Sequence, residues 1–258
     1  MRIVVKVGTS TLAHATGLLN IRRVEQLCAV MSDLKNAGHQ LILVSSGAIG
    51  MGVGKLSLSG RPTDIPTKQA AAAVGQCELM YTYDKLFTEH NHTVAQLLVT
   101  GADLSHDDRR DNFRNTLFRL LELGAQPIVN ENDTVATEEI VIGDNDTLGA
   151  IVAAHTQADL LVILSDIDGL YTADPHTDPT AQLLTEVTEI TPEIEAMVGG
   201  AGSKLGTGGM QTKIAAAKIA TAAGVTMVIA NGQDPTVLYD IVEGRPVGTR
   251  FLAQEVDR

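Results

Sequence analysis

The chain has 258 residues and a formal net charge of −12 at pH 7, with 44% hydrophobic and 19% charged residues. This composition is typical of a globular enzyme and excludes a largely disordered chain. The acidic charge repels polynucleotides and anionic lipid, so we expect neither nucleic acid nor membrane as a partner. The start, MRIVVKVG, is too short for a secretory signal, and no apolar run is long enough to span a bilayer, so we expect a cytoplasmic protein.

The two cysteines, Cys28 and Cys77, have neither disulfide-framework nor zinc-ligand spacing. Cys28 lies on an apolar helical face, which predicts a core position. We therefore predict no metal site built from cysteine and histidine.

Short apolar runs alternate along the chain with longer segments of helical periodicity. The runs are continuously apolar, which is typical of parallel strands covered on both faces. Gly38 follows the first helical segment and predicts its C-cap. This order predicts an α/β fold with helices on both faces of a mainly parallel sheet. We predict strands at 3–7, 41–44, 94–99, 127–130, 160–164 and 226–230, and helices at 21–34, 67–89, 112–123 and 211–223.

Two segments differ from this pattern. Residues 131–143 indicate a polar loop followed by a short strand pair, which predicts a small hairpin flap. Residues 190–210 are predicted to be irregular and end in the glycine-rich GGAGSKLGTGGM. Loops of this kind commonly hold ligands.

Polar residues follow several of the apolar runs, at the strand ends where open α/β sheets bind ligands. They supply a lysine, hydroxyls, amides and carboxylates, together with glycines that let backbone N–H groups approach a phosphate. These segments are Lys6–Ser10, Ser45–Ala48, Asn130–Asp133 and Ser165–Gly169.

Lys6 is an ammonium group inside an otherwise apolar strand. Burying this charge is costly unless an anion meets it, which favours a phosphate ligand. The alternative is an edge strand whose lysine reaches water.

Two glycine-rich segments are candidate anion sites. Residues 45–60 lack the P-loop pattern, because Leu56 follows Lys55, and they also lack G-x-G-x-x-G spacing. They predict a strand-to-helix turn with exposed backbone donors, or else a tight turn with close helix packing. Residues 206–213 place glycines, a hydroxyl and Lys213 at a helix start, which favours anion binding over a flexible surface loop.

Three further clusters carry charge without a metal-site pattern. Residues 143–146, GDND, lack the later residues of a calcium loop, and an N-capping turn for a helix near Thr147 is the better interpretation. The charged stretch 103–111 predicts a solvated helix entrance, and His90 with His92 predicts a surface loop.

Taken together, these segments resemble the amino acid kinase family in the expected order along nearly the whole chain. GLYTADP is widespread in that family, whereas NEND, GDND and GTGGMxTK together point to its glutamate-phosphorylating members. The matching strings are VVKVGTS at 4–10, VSSGAIGMG at 44–52, NENDTVAT at 130–137, GDNDTLGA at 143–150, SDIDGLYTADP at 165–175 and GTGGMQTK at 206–213.

The resemblance implies a three-layer α/β/α sandwich, ATP with Mg²⁺, and phosphorylation of L-glutamate to L-glutamyl 5-phosphate, the first step of proline synthesis. It further implies that Lys6 contacts the transferring phosphoryl group and that Asp146 orients Lys6 and Lys213, which makes these three the catalytic residues. The residues implied to bind glutamate are Ser46, Asp133 and Asn145, and those implied to bind ATP are Lys6, Ser165, Asp166, Thr207, Gly208, Gly209, Met210, Gln211, Thr212 and Lys213.

The resemblance also implies feedback inhibition by proline near 131–143. We further expect a homo-oligomer, a dimer or tetramer, and, because an acyl phosphate is labile, a reductase that consumes the product. Many relatives carry a C-terminal PUA domain, whereas we expect one kinase domain over residues 1–258 without it. Two alternatives stay open: a kinase for aspartate or N-acetylglutamate, and a non-catalytic nucleotide or metabolite sensor.

Overall fold

The computed structural model describes residues 1–14, 18–135, 144–175, 177–199 and 209–254. Within these residues the chain forms one sheet of eight strands, with helices packed on it. The strands are β1 Arg2–Val7, β2 Gln40–Ser45, β3 Val94–Val99, β4 Gln126–Glu131, β5 Leu160–Ser165, β6 Glu186–Val187, β7 Thr226–Asn231 and β8 Thr249–Phe251. The helices are α1 Thr9–Leu12, α2 Ile21–Asn36, α3 Ala48–Lys55, α4 Ile65–Thr88, α5 Gly101–Ser105, α6 Asp107–Glu122, α7 Asn145–His155, α8 Pro192–Gly199, α9 Gly209–Ala222 and α10 Val237–Val242.

The strand order is β3-β4-β2-β1-β5-β7-β8-β6, and every pairing is parallel except that of β7 with β8. The predicted mainly parallel sheet is therefore confirmed. All six predicted strands are present, with bounds that move by no more than one residue at either end. The sequence did not predict β6 and β8, because two- and three-residue strands leave no apolar run to recognise.

Successive side chains of a strand point to opposite faces of the sheet, and helices cover both faces. In β1, Val4 joins the core beneath α6, α7 and α9, whereas Val5 joins the core beneath α2, α4 and α10. This is the three-layer α/β/α arrangement that was predicted. Cys28 is fully buried in the second core, also as predicted.

Helix starts and ends follow local signals in the sequence. The side chain of Asp144 caps α7 by accepting a hydrogen bond from the backbone N–H of Thr147, so the predicted N-capping turn is confirmed. Asp64 caps α4 in the same way. Gly38, just beyond α2, has φ +95°, a left-handed value that glycine adopts without a Cβ clash.

The structure corrects several predicted boundaries. Residues 190–210 are not irregular throughout, because 192–199 form α8, which starts at Pro192 with acidic residues in its first turn. Helix α6 begins at Asp107, five residues before the predicted start, because its first turns are polar and give no apolar period. Helix α1 was not predicted, because its four residues are too few to show a helical period. Residues 136–143 of the predicted hairpin flap lie outside the described residues.

Among the helices of the described residues, none has both the length and the apolar character needed to cross a bilayer.

Candidate active site

Lys6 lies at the carboxyl end of β1, on the face of the sheet that α7 covers. It is 7% exposed. Strand β1 pairs with β2 on one side and β5 on the other, so the edge-strand alternative for Lys6 is wrong. Its aliphatic stem packs under Gly149 of α7, where an added Cβ would lie 3.3 Å from the Lys6 Cβ. The ammonium group is therefore held inside the molecule, and its charge needs an anionic partner.

Asp146 of α7 is that partner, and it also meets Lys213 from the first turns of α9. The distance from Lys6 Nζ to Asp146 Oδ1 is 2.6 Å, and Lys213 Nζ donates a hydrogen bond to Oδ2 at 3.1 Å. Thr212 Oγ1 donates to the same Oδ2 at 2.9 Å. We call Lys6, Asp146 and Lys213 the lysine cluster. Three distant parts of the sequence thus meet at one carboxylate.

The lysine cluster is an electrostatically unbalanced unit. Burial raises the pKa of Asp146, but the attraction of Lys6 and Lys213 outweighs burial and holds the pKa below its usual value. The carboxylate is therefore ionised at neutral pH, and with two ammonium groups it leaves one net positive charge. A buried site of this kind stabilises an anion placed beside it.

A cavity of about 760 Å³ lies beside α3, β4 and the start of α7. Ser46, Asp133 and Asn145, the three residues implied to hold the substrate, all line it, and we call it the Ser46 cavity. Asn145 lines this cavity while the next residue, Asp146, belongs to the lysine cluster. The two parts of the site are therefore joined through consecutive residues of α7.

The amide of Asn145 is held in one orientation. Its Nδ2 donates to the carbonyl oxygen of Ser45 and to Ser46 Oγ, both at 2.8 Å, and to Asn130 Oδ1 at 3.1 Å. A carbonyl only accepts, so Nδ2 must face Ser45. With Nδ2 so placed, Asn145 Oδ1 is an acceptor in the cavity wall, and the Ser46 hydroxyl, which accepts from Nδ2, is a donor there.

The wall of the Ser46 cavity is acidic. Glu131, Asp133 and Asp144 line it together with Arg61, a basic side chain in the loop before α4. Burial, then Asp133 and Asp144, raise the pKa of Glu131, and burial raises that of Asp133. Carboxylates this close together favour a cationic group among them. Glu131 and Asp144 were not predicted as site residues, although NENDTVAT and GDND contain them; Arg61 gave no signal.

The glycine-rich turn after β2 forms another part of this wall. Gly47 has φ +104° and α3 begins at Ala48, so the predicted strand-to-helix turn is confirmed. The alternative, close helix packing, is also realised, because a Cβ on Gly52 would lie 1.8 Å from the carbonyl oxygen of Ala71.

Besides Lys6 in β1, two of the residues implied to bind ATP lie at the carboxyl end of β5 and five at the start of α9. Ser165 is 6% exposed and its Oγ donates to Asp166 Oδ1 at 3.2 Å. Gly209, Met210, Gln211, Thr212 and Lys213 form the first residues of α9. Thr207 and Gly208 lie outside the described residues.

A known protein family matches most of this chain. The model of the Amino acid kinase family matches residues 1–231. The chain belongs to the amino acid kinase family. This amino acid kinase is 54% identical over 258 residues to the protein named Glutamate 5-kinase of Clostridium perfringens, covering 98% of this chain and 96% of that one. It is 53% identical to the Glutamate 5-kinase of Listeria monocytogenes EGD-e, covering 98% and 94%.

Solved structures of other kinases share the fold of this amino acid kinase. The product complex of T. acidophilum isopentenyl phosphate kinase has a TM-score of 0.67 at 18% identity, with 97% of this chain and 100% of that chain covered. Carbamate kinase from Giardia lamblia bound to AMP-PNP has a TM-score of 0.69 at 18% identity, with 98% of each chain covered. At these identities the likeness shows the fold alone.

Proposed function

We propose that this chain transfers the γ-phosphoryl group of ATP to the side-chain carboxylate of L-glutamate, giving L-glutamyl 5-phosphate and ADP in the first step of proline biosynthesis. The observation that carries this proposal is the junction in α7, where Asn145 lines the Ser46 cavity and Asp146 holds two buried lysines. The 54% identity to a protein named Glutamate 5-kinase supports glutamate as the acceptor.

The Ser46 cavity suits a free amino acid. The carboxylates of Asp133 and Glu131 attract its ammonium group, and Asn145 Oδ1 adds a neutral acceptor. The Ser46 hydroxyl and the backbone N–H groups at the start of α3 are donors for a carboxylate. In this proposal the side-chain carboxylate of glutamate faces the lysine cluster.

The reaction needs no general base. The side-chain carboxylate has a reference pKa of about 4.3 and is ionised at neutral pH. One of its oxygens forms a bond to the γ-phosphorus while the bond from that phosphorus to the β,γ-bridging oxygen breaks, and the electron pair leaves with ADP. Lys6 and Lys213 offset the negative charge of the two reacting anions, and Asp146 keeps both ammonium groups in place.

The nucleotide in this proposal lies beyond the lysine cluster, against Ser165, Asp166 and the start of α9. Gly209 to Thr212 supply the backbone N–H groups of the first helical turn, which have no partner within the helix, and Lys213 adds an ammonium group. Thr207 and Gly208 are proposed to bind ATP as well, on the basis of the sequence pattern alone.

The residues present fit Mg²⁺ carried by ATP. Both oxygens of Asp146 already contact ammonium groups, and across the described residues there is no cluster of three or more His, Cys, Asp or Glu side chains placed to hold a metal. Mg²⁺ with few protein ligands is held by phosphates and water. When bound it neutralises phosphate charge; the residues of the chain hold the nucleotide and the acceptor around it.

The remaining predictions belong to the same proposal: one kinase domain over residues 1–258, a homo-oligomer, inhibition by proline at the Ser46 cavity, and a reductase that consumes the labile acyl phosphate. The match of the family model to residues 1–231 supports the first.

The test is ADP release from MgATP with L-glutamate, in the presence of hydroxylamine to trap an acyl phosphate as its hydroxamate. We expect hydroxamate that depends on glutamate. A clear preference for aspartate or N-acetylglutamate would show that the acceptor is that acid and not glutamate. No ATP turnover with any candidate acid would favour the sensor alternative.

A further inference from the structure

A buried glutamine stands behind the Ser46 cavity without lining it. Gln76 lies on α4, 8% exposed, and its Oε1 accepts a hydrogen bond from Asn130 Nδ2 at 2.9 Å. Asn130 is 2% exposed and lines the cavity from the end of β4. The glutamine thus holds a wall residue from outside the site.

The direction of this hydrogen bond is fixed by the backbone. Asn130 Oδ1 accepts from the backbone N–H of Glu131 at 2.9 Å, and from Asn145 Nδ2 at 3.1 Å. Because Oδ1 must face these donors, Asn130 Nδ2 points to Gln76, and burial keeps water from replacing the acceptor. The relay Gln76–Asn130–Asn145 therefore ends at the amide that also holds Ser46 Oγ.

Gly75, the residue before Gln76 in α4, positions a second part of the cavity wall. An added Cβ on Gly75 would lie 1.8 Å from the carbonyl oxygen of Ala48 and 2.4 Å from the backbone nitrogen of Gly52. The backbones of α3 and α4 are therefore in direct contact at this glycine. Ala48 is the first residue of α3 and lines the cavity, so any side chain at position 75 displaces that wall.

Only one of the two polar groups of the Gln76 amide is satisfied. Its Nε2 is buried and has no hydrogen-bond partner among the described residues. A buried donor without a partner costs stability, so the amide is kept at that cost for its acceptor oxygen, without which the buried Asn130 Nδ2 would lose its acceptor. The arrangement is explained if the acceptor oxygen of Gln76 is needed to place Asn130.

We propose that Gly75 and Gln76, consecutive residues of α4, are positioning residues for the amino acid that occupies the Ser46 cavity. Neither touches that amino acid: Gly75 places the start of α3, and Gln76 places Asn130 and through it Asn145. This inference rests on the proposed function for the identity of the acceptor. Gly75 and Gln76 contact residues of the cavity wall, so the proposed role concerns the binding of the acceptor and not of the nucleotide.

The decisive variant is Gln76→Met, which keeps the length of the side chain and removes the acceptor. The KM for glutamate, the KM for ATP and kcat are measured in the hydroxamate assay, and the melting temperature is measured with and without glutamate. We expect the KM for glutamate to rise about tenfold, as for a buried hydrogen bond left unmade, with the KM for ATP within about twofold. Gly75→Ala should act in the same direction.

Cys77→Met is the matched control, because Cys77 is exposed, adjacent and receives the same side chain. It should leave both KM values within about twofold of wild type. A Gln76→Met protein that melts earlier but keeps the wild-type KM for glutamate would overturn the inference, since a merely structural role predicts that result. If Gly75→Ala does not fold, Gln76→Met decides.

The two proposals fail differently. If the wild-type chain phosphorylates a different acid, the proposed function fails, and the same comparison of KM values is made with that acid. If glutamate raises the melting temperature of wild type, the loss of that rise in Gln76→Met supports the positioning role without turnover. An unchanged rise contradicts it.

Discussion

Asn145 and Asp146 are adjacent in α7, yet their side chains reach different parts of the site: Asn145 Nδ2 bonds Ser46 Oγ at 2.8 Å, whereas Asp146 Oδ1 lies 2.6 Å from Lys6 Nζ. Successive residues of an α-helix point about 100° apart, so one helix start can serve two sites. The cavity and the two ammonium groups are therefore fixed relative to each other by a single covalent link. In the proposed reaction this link sets the approach of the acceptor to the phosphoryl group.

Replacement of either clustered lysine should reduce the chemical step. In Lys6→Met or Lys213→Met the stem is kept and the ammonium group is lost, so the developing charge is less well stabilised. We expect kcat to fall about a hundredfold or more, the size seen when one charge-stabilising donor is removed. The measurement is steady-state kinetics with glutamate and MgATP.

Lys218→Met is the control for this experiment. Lys218 lies on the same helix as Lys213, but it pairs with Glu195 at the surface, where both side chains are about half exposed. Its kcat should stay within about twofold of wild type. A folded Lys6→Met protein within tenfold of wild type would refute the assigned role of Lys6.

Asp146→Asn should destabilise the fold as well as reduce activity. It leaves two buried ammonium groups facing each other without a counter-charge. Removing one partner from a buried ion pair costs about 3–5 kcal/mol of unfolding free energy, and we expect that range here from urea unfolding at pH 7. Glu195→Gln, which breaks the exposed pair with Lys218, should cost about 1 kcal/mol or less. Equal losses for the two variants would contradict the role of Asp146.

The affinity for glutamate should depend on pH through the cavity carboxylates. Their raised pKa values mean that Glu131 and Asp133 bind protons at a higher pH than the ordinary 4.5 and 3.8. A protonated carboxyl group no longer attracts an ammonium ion, so kcat/KM for glutamate should fall as the pH drops toward these raised values. The side-chain carboxylate of glutamate has a reference pKa of about 4.3 and adds its own protonation at acidic pH.

Asp133→Asn separates these two causes of acid sensitivity. It should lower kcat/KM for glutamate about tenfold at neutral pH, as for a lost hydrogen bond to a charged group. It should also make the acid-side fall shallower, because one titrating group is gone. An unchanged pH profile would argue that Asp133 does not contact the ammonium group.

Asn145→Asp tests the orientation of the amide in the cavity wall. The variant has the same shape, but it turns a carboxylate toward the Ser45 carbonyl and Asn130 Oδ1, which can only accept. We expect the KM for glutamate to rise by tenfold or more and the KM for ATP to change less. An equal change in both would indicate a general disturbance of α7.

Much of the site could be predicted because its residues follow apolar runs. Lys6, Ser46 and Asp133 follow or end strands whose bounds the sequence gives within a residue, and parallel strands bring their carboxyl ends to one edge. The family resemblance then added roles for Asn145 and Asp146. Gln76 was not predicted, because a glutamine within a helical pattern looks the same whether it faces solvent or a buried asparagine.

The sequence by itself determined the six longer strands, the longer helices and the family. Continuous apolar runs and helical periods are local features, and the family motifs occur in a fixed order along the chain. Only the tertiary structure decided which polar groups meet. Whether Lys6 is central or at an edge depends on strand order, and its pairing with Asp146 and Lys213 joins positions far apart in the chain. The contact of Gly75 with Ala48 likewise depends on the distance between two helix backbones, which packing sets and no local pattern records.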